Sequence, residues 1–422
     1  MSDLDSTEVE RVITSLKNNR ATGWDNISND FLKRFKHILV PPLTHIFQIC
    51  LCEGIFPKCL KKAVVIPIHK SGKKDLVTNY RPISLLPSVS KVLEKIINNR
   101  LVSFLENNCL FSPWQFGFRS KLSTADAVHH LTDYVTEELG KGKRVTGIFL
   151  DLAKAFDTVS VPILLNKLEA LGIRGIQLKL FTDYLQDRYQ CVKIGNIISA
   201  DMKIPPYGIP QGSILGPTLF LIYLNDLCNL NLDHGKIISY ADDTALIFSA
   251  DSSTELHNHA QRGFNVVNNW LTRNLLTLNA EKTKFMSFCM RRPHNIIPNH
   301  LNQLYAHSGR KHLTGACNCP VIEETSYIKY LGIIIDNTFS FKKHISALAN
   351  RLRKLMFVFK KLRHIADSKL IIQIYQALCQ SIIQYCITSW GGAPKTSMIP
   401  IERAQRAILK VATSRPYLFP TS

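Results

Sequence analysis

The sequence has no hydrophobic run long enough to cross a membrane. Its longest apolar stretch, 214–224, is interrupted by Gly216 and Pro217 and falls well short of the roughly 20 residues that a membrane-spanning helix needs. The first ten residues are acidic and polar, without the apolar core of a secretion signal. The sequence therefore predicts neither a membrane anchor nor export, and we expect the protein to stay inside the cell.

Zinc-binding motifs are also lacking. Eleven cysteines are scattered along the chain. The close pairs Cys50/Cys52 and Cys317/Cys319 each have one intervening residue, whereas zinc sites usually have two to four. This spacing indicates a reducing compartment and no structural zinc.

Acidic residues are few relative to basic ones. Lys and Arg together number 52 against 32 Asp and Glu, which gives a formal charge of +20. Such a field suits a polyanionic partner, with nucleic acid ahead of an anionic membrane and a merely solubilising basic surface as the alternative. The hydrophobic fraction of 45% is typical of a folded protein.

Strand-like and helix-like patterns alternate along the chain and predict a mixed α/β fold. Strands are predicted at 63–68, 147–150, 191–194, 237–248 and 330–336. Helices are predicted at 43–51, 90–105, 164–171, 176–185 and 215–224, followed by two amphipathic helices after Phe341 that divide near Asp367. Segment 291–322 has no clear period and is interpreted as a surface insertion or long loop.

Asp151 ends the apolar run Gly147–Leu150. An acid at the end of a buried strand is costly unless its charge is compensated. Two interpretations remain open for Asp151 taken alone, the cap of a following helix or a metal ligand.

Asp242 and Asp243 lie between two strand-like stretches, which predicts a hairpin with paired acids at its tip. Turn chemistry can use one Asp, but it gives no reason for two adjacent acids and a third at another strand end. A divalent cation supplies that reason, because Mg²⁺ bridges carboxylates and substrate phosphates. Two such ions about 3.5 to 4 Å apart would support nucleotidyl transfer.

Residues 207–213 form a Gly/Pro-containing loop ahead of the apolar helix 215–224. Glycine lets a backbone approach a ligand closely, and a helix N-terminus attracts phosphate. The loop is therefore a candidate nucleotide or template site, with an ordinary helix-initiating loop as the alternative.

Eight motifs together resemble the reverse transcriptase of non-LTR retrotransposons, close to the jockey-like and LINE-like elements. They occur in the family's order and cover nearly the whole chain. The motifs are GWDNI at 23–27, NYRPISLL at 79–86, QFGFR at 115–119, FLDLAKAFDTV at 149–159, GIPQGSILGP at 208–217, YADD at 240–243, LNAEKTKF at 278–285 and YLGIIID at 330–336.

The resemblance implies a right-hand polymerase of the α/β (α+β) class, with fingers, a ferredoxin-like palm and a helical thumb. The implied organisation is an N-terminal helical extension over 1–60, fingers and palm over 61–336 with the insertion at 291–322, and a helical thumb with a truncated C-terminal region over 337–422. No endonuclease or Cys/His motif accompanies these parts, so the chain resembles a fragment or a truncated copy.

In the family, the acids at the matching positions bind the catalytic metals, which implies that Asp151, Asp242 and Asp243 hold two Mg²⁺ ions, with Mn²⁺ as a substitute. The resemblance also implies that Phe156 rejects a ribose 2′-OH. The alternative for Phe156 is a plain core position.

Further roles follow from the same resemblance. Lys70 and Arg81 would hold the incoming triphosphate, although Lys70 also suits a solvated basic loop. Gln211 and Gly212 would contact the nucleotide and template, and Lys282 would protonate the pyrophosphate. Residues 330–336 resemble the region that holds the primer end, or else are plain strand core.

A basic amphipathic helix follows Phe341 and would grip the template and primer as a thumb. Its candidate nucleic-acid contacts are Lys342, Lys343, Arg351, Arg353 and Lys354. The expected partners are an RNA template, a DNA primer and deoxynucleoside triphosphates, without a membrane. Target-primed synthesis, by analogy with the family, implies the nucleus.

The expected function is RNA-directed DNA synthesis by an active reverse transcriptase. One alternative is an inactive or domesticated copy that only binds nucleic acid. Another is a relative of group II intron maturases or retrons. An RNA-dependent RNA polymerase is disfavoured, because Phe156 stands where such an enzyme must accept a 2′-OH.

Overall fold

The computed structural model describes residues 3–18, 21–289, 303–307 and 319–413. The predicted insertion at 291–322 therefore lies mostly outside the described residues, as does the end of the predicted C-terminal region.

Fourteen α-helices occur in the part of the chain that the structure describes. They are α1 Ser6–Ser15, α2 Asn29–Arg34, α3 Lys36–Glu53, α4 Ser88–Asn107, α5 Thr124–Gly140, α6 Val161–Ala170, α7 Gly175–Leu185, α8 Leu215–Leu224, α9 Ser253–Arg273, α10 Lys342–Leu362, α11 Ser368–Tyr375, α12 Ser381–Gln384, α13 Ile387–Trp390 and α14 Lys395–Ala412.

Thirteen β-strands occur in the same described ranges. They are β1 Lys62–His69, β2 Tyr80–Leu85, β3 Arg144–Leu150, β4 Tyr189–Ile194, β5 Ile197–Ile198, β6 Met202–Lys203, β7 Gly235–Tyr240, β8 Asp243–Ala250, β9 Lys284–Phe288, β10 Leu304–Tyr305, β11 Val321–Glu324, β12 Tyr327–Tyr330 and β13 Ile333–Asp336. The mixed α/β class is thus confirmed.

The chain divides into two compact units that interleave along the sequence. The first comprises 1–118, 152–229 and 270–277, and the second comprises 119–151, 230–269 and 278–422. The predicted contiguous ranges 1–60, 61–336 and 337–422 stay a prediction.

The first unit contains a small sheet in the order β2-β1-β4-β5, with β6 also paired to β4. Strands β1 and β2 are antiparallel, and β1 and β4 are parallel. Helix α8 is buried along almost its whole length, as expected for a helix that is apolar on every side. Helix α4 packs against α8 and α1, and the residues of its predicted apolar face, including Leu93, Ile97 and Leu101, are buried.

The second unit contains a six-stranded sheet in the order β10-β11-β9-β3-β8-β7. Strand β3 is central and pairs antiparallel with both β8 and β9. Helix α5 packs on β3, β7 and β8. Since six of the seven β3 residues are buried, the strand carries a nearly continuous apolar run up to its last residue.

The expectation of a single strand at 330–336 is wrong. A two-residue turn, Leu331-Gly332, separates β12 from β13, and Tyr330 pairs with Ile333. Both turn residues have positive φ, +44° and +87°, which is the geometry that favours a tight hairpin. Only the glycine marked this turn in the sequence.

The predicted division of the C-terminal helices near Asp367 is confirmed, but the expectation of two helices after Phe341 is wrong, because five, α10 to α14, follow it within the described residues. Helix α10 ends at Leu362, and the Asp367 side chain accepts a hydrogen bond from Leu370 N–H at 2.7 Å, which caps α11. None of the helices in the described ranges is long and apolar enough to span a bilayer.

Candidate active site

Three predicted acids lie at one end of the six-stranded sheet. Leu150, the last residue of β3, pairs with Thr244 of β8, so Asp151 continues the register opposite Asp243. Tyr240 of β7 pairs with Asp243, so Ala241 and Asp242 form a two-residue turn. Because directly opposed residues of antiparallel strands are about 4.5 to 5.5 Å apart at Cα, the sheet brings the acids from two distant motifs together.

No ion pair with a described residue balances the charge of these three acids. Partial removal of water around Asp243, followed by the negative charges of Asp242 and Asp151, raises the pKa of the Asp243 carboxyl to about 6. Both effects disfavour its ionised form. Repulsion among three nearby carboxylates is the electrostatic environment that a cation relieves.

Two residues that the sequence reasoning missed hold the Asp151 backbone. The Asp151 N–H donates to Thr283 Oγ1 at 3.2 Å, and the Asp151 carbonyl accepts from Asn279 N–H at 2.8 Å. Thr283 is fully buried, and its own N–H donates to the Asn279 carbonyl at 2.9 Å. Both residues belong to the LNAEKTKF motif, in which the sequence predicted a role only for Lys282.

Hydrogen bonds of a buried serine stabilise the turn between β7 and β8. Ser239 Oγ lies 3.0 Å from Thr244 Oγ1 and 3.0 Å from the carbonyl oxygen of Ala241, and the first two side chains are buried. Ala241 has φ +57°, a left-handed conformation that is unfavourable by about 1 kcal/mol for a residue with a Cβ. The bracing therefore maintains a strained turn that presents Asp242 and Asp243.

The donor set fits a hard divalent ion. Carboxylate oxygens are the ligands that Mg²⁺ and Mn²⁺ prefer, and the pKa of Asp243 is raised first by desolvation and then by the neighbouring negative charges. Within the described residues, no group of three or more His, Cys, Asp or Glu side chains is arranged so that it could hold a metal ion. The three acids thus share an edge of the sheet but do not by themselves form a complete ligand shell.

Lys282 lies in the same unit, on the segment that fixes Asp151, and its side chain is exposed. Its N–H donates to Asn279 Oδ1 at 3.3 Å. The segment's backbone is therefore anchored while the lysine amine stays accessible to solvent.

In the first unit, Lys70 and Arg81 lie on one β-hairpin. Ile68 pairs with Arg81, and Lys70 N–H donates to the Asn79 carbonyl at 2.8 Å. Since side chains two residues apart on a strand share a face, Lys70 and Arg81 are diagonal neighbours. Both are exposed, which leaves two cations available on one face.

Phe156 is half-buried and stacks on Phe220 of α8, with ring centroids 4.2 Å apart. Its carbonyl accepts from Ile209 N–H at 2.9 Å. The residue is thus neither a fully buried core position nor a free surface side chain. The α8 contact fixes its ring while part of the side chain remains accessible.

Gln211 and Gly212 are held against two neighbouring segments. Gln211 Nε2 donates to Asp157 Oδ1 at 2.9 Å, and the Gln211 carbonyl accepts from Ser84 N–H at 2.7 Å. Gly212 has φ +113°, and a Cβ there would lie 2.7 Å from the Ser84 carbonyl oxygen. Glycine is therefore required at 212 by the close approach of β2.

The β12–β13 hairpin, which resembled a primer-holding region, is tethered at its tip. The Tyr385 hydroxyl donates to the Leu331 carbonyl at 2.6 Å and lies 2.8 Å from Thr124 Oγ1. The Tyr330 ring packs edge-on against Phe149 of β3, 5.4 Å between centroids. The hairpin is thus attached both to α5 and to the strand that leads to Asp151.

Helix α10 presents the predicted basic side chains. Asp336 at the end of β13 accepts from Ser340 N–H and Phe341 N–H at 3.0 and 2.6 Å, which fixes the start of the helix. One face of the helix is buried, and the predicted basic residues are all exposed, namely Lys342, Lys343, Arg351, Arg353 and Lys354. Lys343 Nζ lies over the Tyr327 ring, 3.2 Å from its centroid.

A family comparison decides the identity of this arrangement. The model of the reverse transcriptase (RNA-dependent DNA polymerase) family matches residues 68–335, which include all three acids and the loop at 208–213. The chain belongs to the reverse transcriptase family. The match begins within β1 and ends within β13, so the reverse transcriptase region spans parts of both compact units.

Individual relatives confirm the predicted resemblance to non-LTR retrotransposon reverse transcriptases. The chain is 30% identical to the probable RNA-directed DNA polymerase from transposon BS of Drosophila melanogaster, over 97% of this chain and 44% of that protein. It is 29% identical to the RNA-directed DNA polymerase from mobile element jockey of Drosophila funebris, over 98% of this chain and 44% of that protein. This reverse transcriptase chain therefore spans less than half the length of these curated relatives.

Proposed function

We propose that this chain is the RNA-directed DNA polymerase part of a non-LTR retrotransposon, which adds deoxynucleotides to a primer 3′-OH. The observation that carries the proposal is the meeting of Asp151 with Asp242 and Asp243 at one end of the sheet, within a chain of the reverse transcriptase family. The relatives named for this activity support it.

Divalent metal ions are general cofactors of reverse transcriptases. We infer that Asp151, Asp242 and Asp243 would hold two Mg²⁺ ions, with Mn²⁺ as a substitute. When bound, such ions lower the pKa of the attacking hydroxyl and stabilise the charge of the leaving pyrophosphate. Other residues of the chain hold the three carboxylates in place, since Asn279 and Thr283 bind the Asp151 backbone and Ser239 binds the turn that carries Asp242 and Asp243.

The incoming deoxynucleotide would be bound by residues of the first unit. Lys70 and Arg81 would contact the triphosphate through charge-assisted hydrogen bonds. Gln211 and Gly212 would contact the nucleotide and the template base, and the Phe156 ring would exclude a ribose 2′-OH. The stacking of Phe156 on Phe220 supports a fixed ring at this position.

The remaining expected roles concern the product and the polynucleotides. Lys282 would donate a proton from Nζ to the pyrophosphate. The exposed cations of α10 would contact the phosphates of an RNA template and DNA primer, as their accessibility and the charge of +20 support. Priming at a chromosomal target would place this activity in the nucleus.

Primer extension on poly(rA) with an oligo(dT) primer, dTTP and Mg²⁺ tests the proposed activity. Wild-type protein should extend the primer, and Asp242→Asn should lower the rate by at least about 100-fold, because one transition-state charge partner is lost. Asp251→Asn is the matched control, since Asp251 directly follows the opposite end of β8 and should leave the rate unchanged.

A folded wild-type protein that binds the primer-template without extending it contradicts the proposal and supports the inactive, nucleic-acid-binding alternative. If Asp242→Asn and Asp251→Asn lower the extension rate equally, the assignment of the metal ligands is contradicted, but the proposed polymerase activity is not.

A further inference from the structure

A buried glutamate of α4 contacts the start of α8. Glu94 is fully buried, and its Oε2 accepts from Ile214 N–H at 2.7 Å and from Leu215 N–H at 3.4 Å. These N–H groups belong to the start of a helix, where no carbonyl of the same helix is available as acceptor. The Glu94 carboxyl thus caps α8 from a helix that is distant in sequence.

Arg188 supplies a positive charge to the same buried region. Its side chain is 4% exposed, and Nη1 donates to the Tyr184 carbonyl at 3.0 Å. Nε and Nη2 make no hydrogen bond with any part of the chain that the structure describes. Burial raises the pKa of the Glu94 carboxyl, and the Arg188 charge acts in the opposite direction.

A buried carboxyl is an expensive cap for a helix, because an ion loses several kcal/mol of hydration when it is buried. A serine or aspartate just ahead of the helix would accept the same N–H at little cost. Here Ser213 occupies that neighbourhood, but its hydroxyl donates to the Pro210 carbonyl at 2.9 Å and accepts from Gly216 N–H at 3.0 Å. The serine therefore links the loop to Gly216 in the first turn of α8, and Glu94 accepts the N–H groups of the two preceding residues.

The loop thus fixed carries Gln211 and Gly212. On one side, Ser84 N–H of β2 donates to the Gln211 carbonyl. On the other, Glu94 holds Ile214, three residues further along. Only Gly212 and Ser213 lie between these two anchors, so a shift at Ile214 is transmitted to Gln211 within a very short segment.

We propose that Glu94 is a positioning residue for nucleotide binding, which sets the place of Gln211 and Gly212 through the start of α8. The expected change in KM rests on the proposed polymerase function, whereas the expected effect on the loop structure does not. Glu94 touches no substrate in this role and acts through the backbone of residues 211–214.

The test separates positioning from stability with a double variant. Glu94→Leu/Arg188→Leu removes both buried ionisable groups together, so that neither charge is left buried without the opposite one. The matched control is Thr218→Val, which removes the hydrogen bond from Thr218 Oγ1 to Asn98 Oδ1 at 2.7 Å. Both control residues lie four positions beyond Ile214 and Glu94 on the same two helices, away from the loop.

The measurements are the KM values for dTTP and for poly(rA)/oligo(dT), and hydrogen exchange of a peptide covering 208–216. In the double variant we expect the KM for dTTP to rise about 10-fold, an unchanged KM for the primer-template, and faster exchange in 208–216. Thr218→Val should change none of these. Glu94→Gln keeps one acceptor oxygen and should raise the KM for dTTP about 3-fold, a smaller shift of the same kind.

A KM for dTTP and an exchange rate equal to those of Thr218→Val overturn the proposal. If the double variant does not fold, Glu94→Gln decides it, and wild-type values in both measurements overturn it. Should the wild-type protein lack polymerase activity, the exchange measurement still decides whether Glu94 fixes the loop, so failure of the proposed function and failure of this inference are distinguishable.

Discussion

Negative charge is concentrated at the turn between β7 and β8, and no ion pair with a described residue balances it. Asp242 and Asp243 are adjacent, and Asp151 lies opposite Asp243 across the sheet. Desolvation, followed by the negative charges of Asp242 and Asp151, raises the pKa of Asp243 to about 6. Unbalanced charge of this kind costs folding stability, so removing it should stabilise the metal-free protein.

Replacement of Asp243 by Asn should therefore raise the melting temperature in EDTA at pH 8. Because the folded-state pKa is raised, ionisation of wild-type Asp243 costs stability as pH rises from about 4 to 6, and the cost is absent below this window. Since the side chain is exposed, solvent screening limits the gain to about 1 kcal/mol. Thermal unfolding at pH 8 and pH 4 measures it, with Asp251→Asn as control. A lower melting temperature at pH 8 would contradict this account, as would an equal gain at pH 4.

Phe156 is the residue at which sugar selectivity should be decided. Phe156→Ala should lower the ratio of dTTP to UTP incorporation by about 10- to 200-fold, because a steric exclusion of one small group is worth about 1–3 kcal/mol. Phe156→Tyr keeps the ring and should keep the ratio. Single-nucleotide extension with each substrate measures the effect. A ratio unchanged in Phe156→Ala would assign the ring to packing on Phe220 alone.

At the scale of elements, Glu138 joins the end of α5 to the far end of the six-stranded sheet. Its carboxylate accepts from Lys141 Nζ, Lys143 Nζ and Ser249 Oγ, at 2.8, 2.9 and 2.8 Å. The hydrogen bonds from Lys141 and Lys143 are the largest of the effects that lower the pKa of Glu138 to about 2. The lowered pKa means that the ionised form stabilises the fold.

Glu138→Gln should therefore lower the free energy of unfolding by about 1–2 kcal/mol at pH 7, because the buried Ser249 hydroxyl and two partly exposed lysine amines lose a charged acceptor. The contribution is fully present above the unfolded glutamate pKa of about 4.3 and is lost as pH falls toward 2. Denaturation midpoints of both proteins should differ equally at pH 7 and 5.5 and converge between pH 4.5 and 3. A difference that stays constant down to pH 3 would show that the charge is not responsible.

Local pattern predicted those elements whose residues determine their own conformation. The bounds of α8 follow from an apolar run that begins after a Gly/Pro loop, and the cap at Asp367 follows from its side chain. The β12–β13 hairpin was missed because Leu331 takes a left-handed conformation that its side chain disfavours. Its tip is instead held by Tyr385, a contact that no local pattern contains.

At the scale of the whole molecule, the sequence predicted which acids lie together at one end of the sheet but not what supports them. Paired acids at a hairpin tip require an explanation from the residues alone, whereas Asn279 and Thr283 reveal their roles only when β3 and β9 pair. Glu94 is similar, since the role of an acid on the buried face of α4 is seen only from its hydrogen bonds to the start of α8. Contacts between distant segments therefore account for most of what the motifs did not reveal.

The net charge of +20 makes salt dependence the test of the whole molecule as a nucleic-acid-binding protein. Replacing Arg351, Arg353 and Lys354 by Gln should weaken binding to an RNA/DNA primer-template and reduce the slope of log K against log salt by about 2–3 units, because each phosphate contact contributes somewhat less than one. The charge-matched control replaces Arg11, Lys17 and Arg34, exposed cations near the N-terminus. If α10 grips the duplex, only the first set changes the slope. Equal changes in both sets would mean that overall charge, rather than a thumb helix, determines the binding.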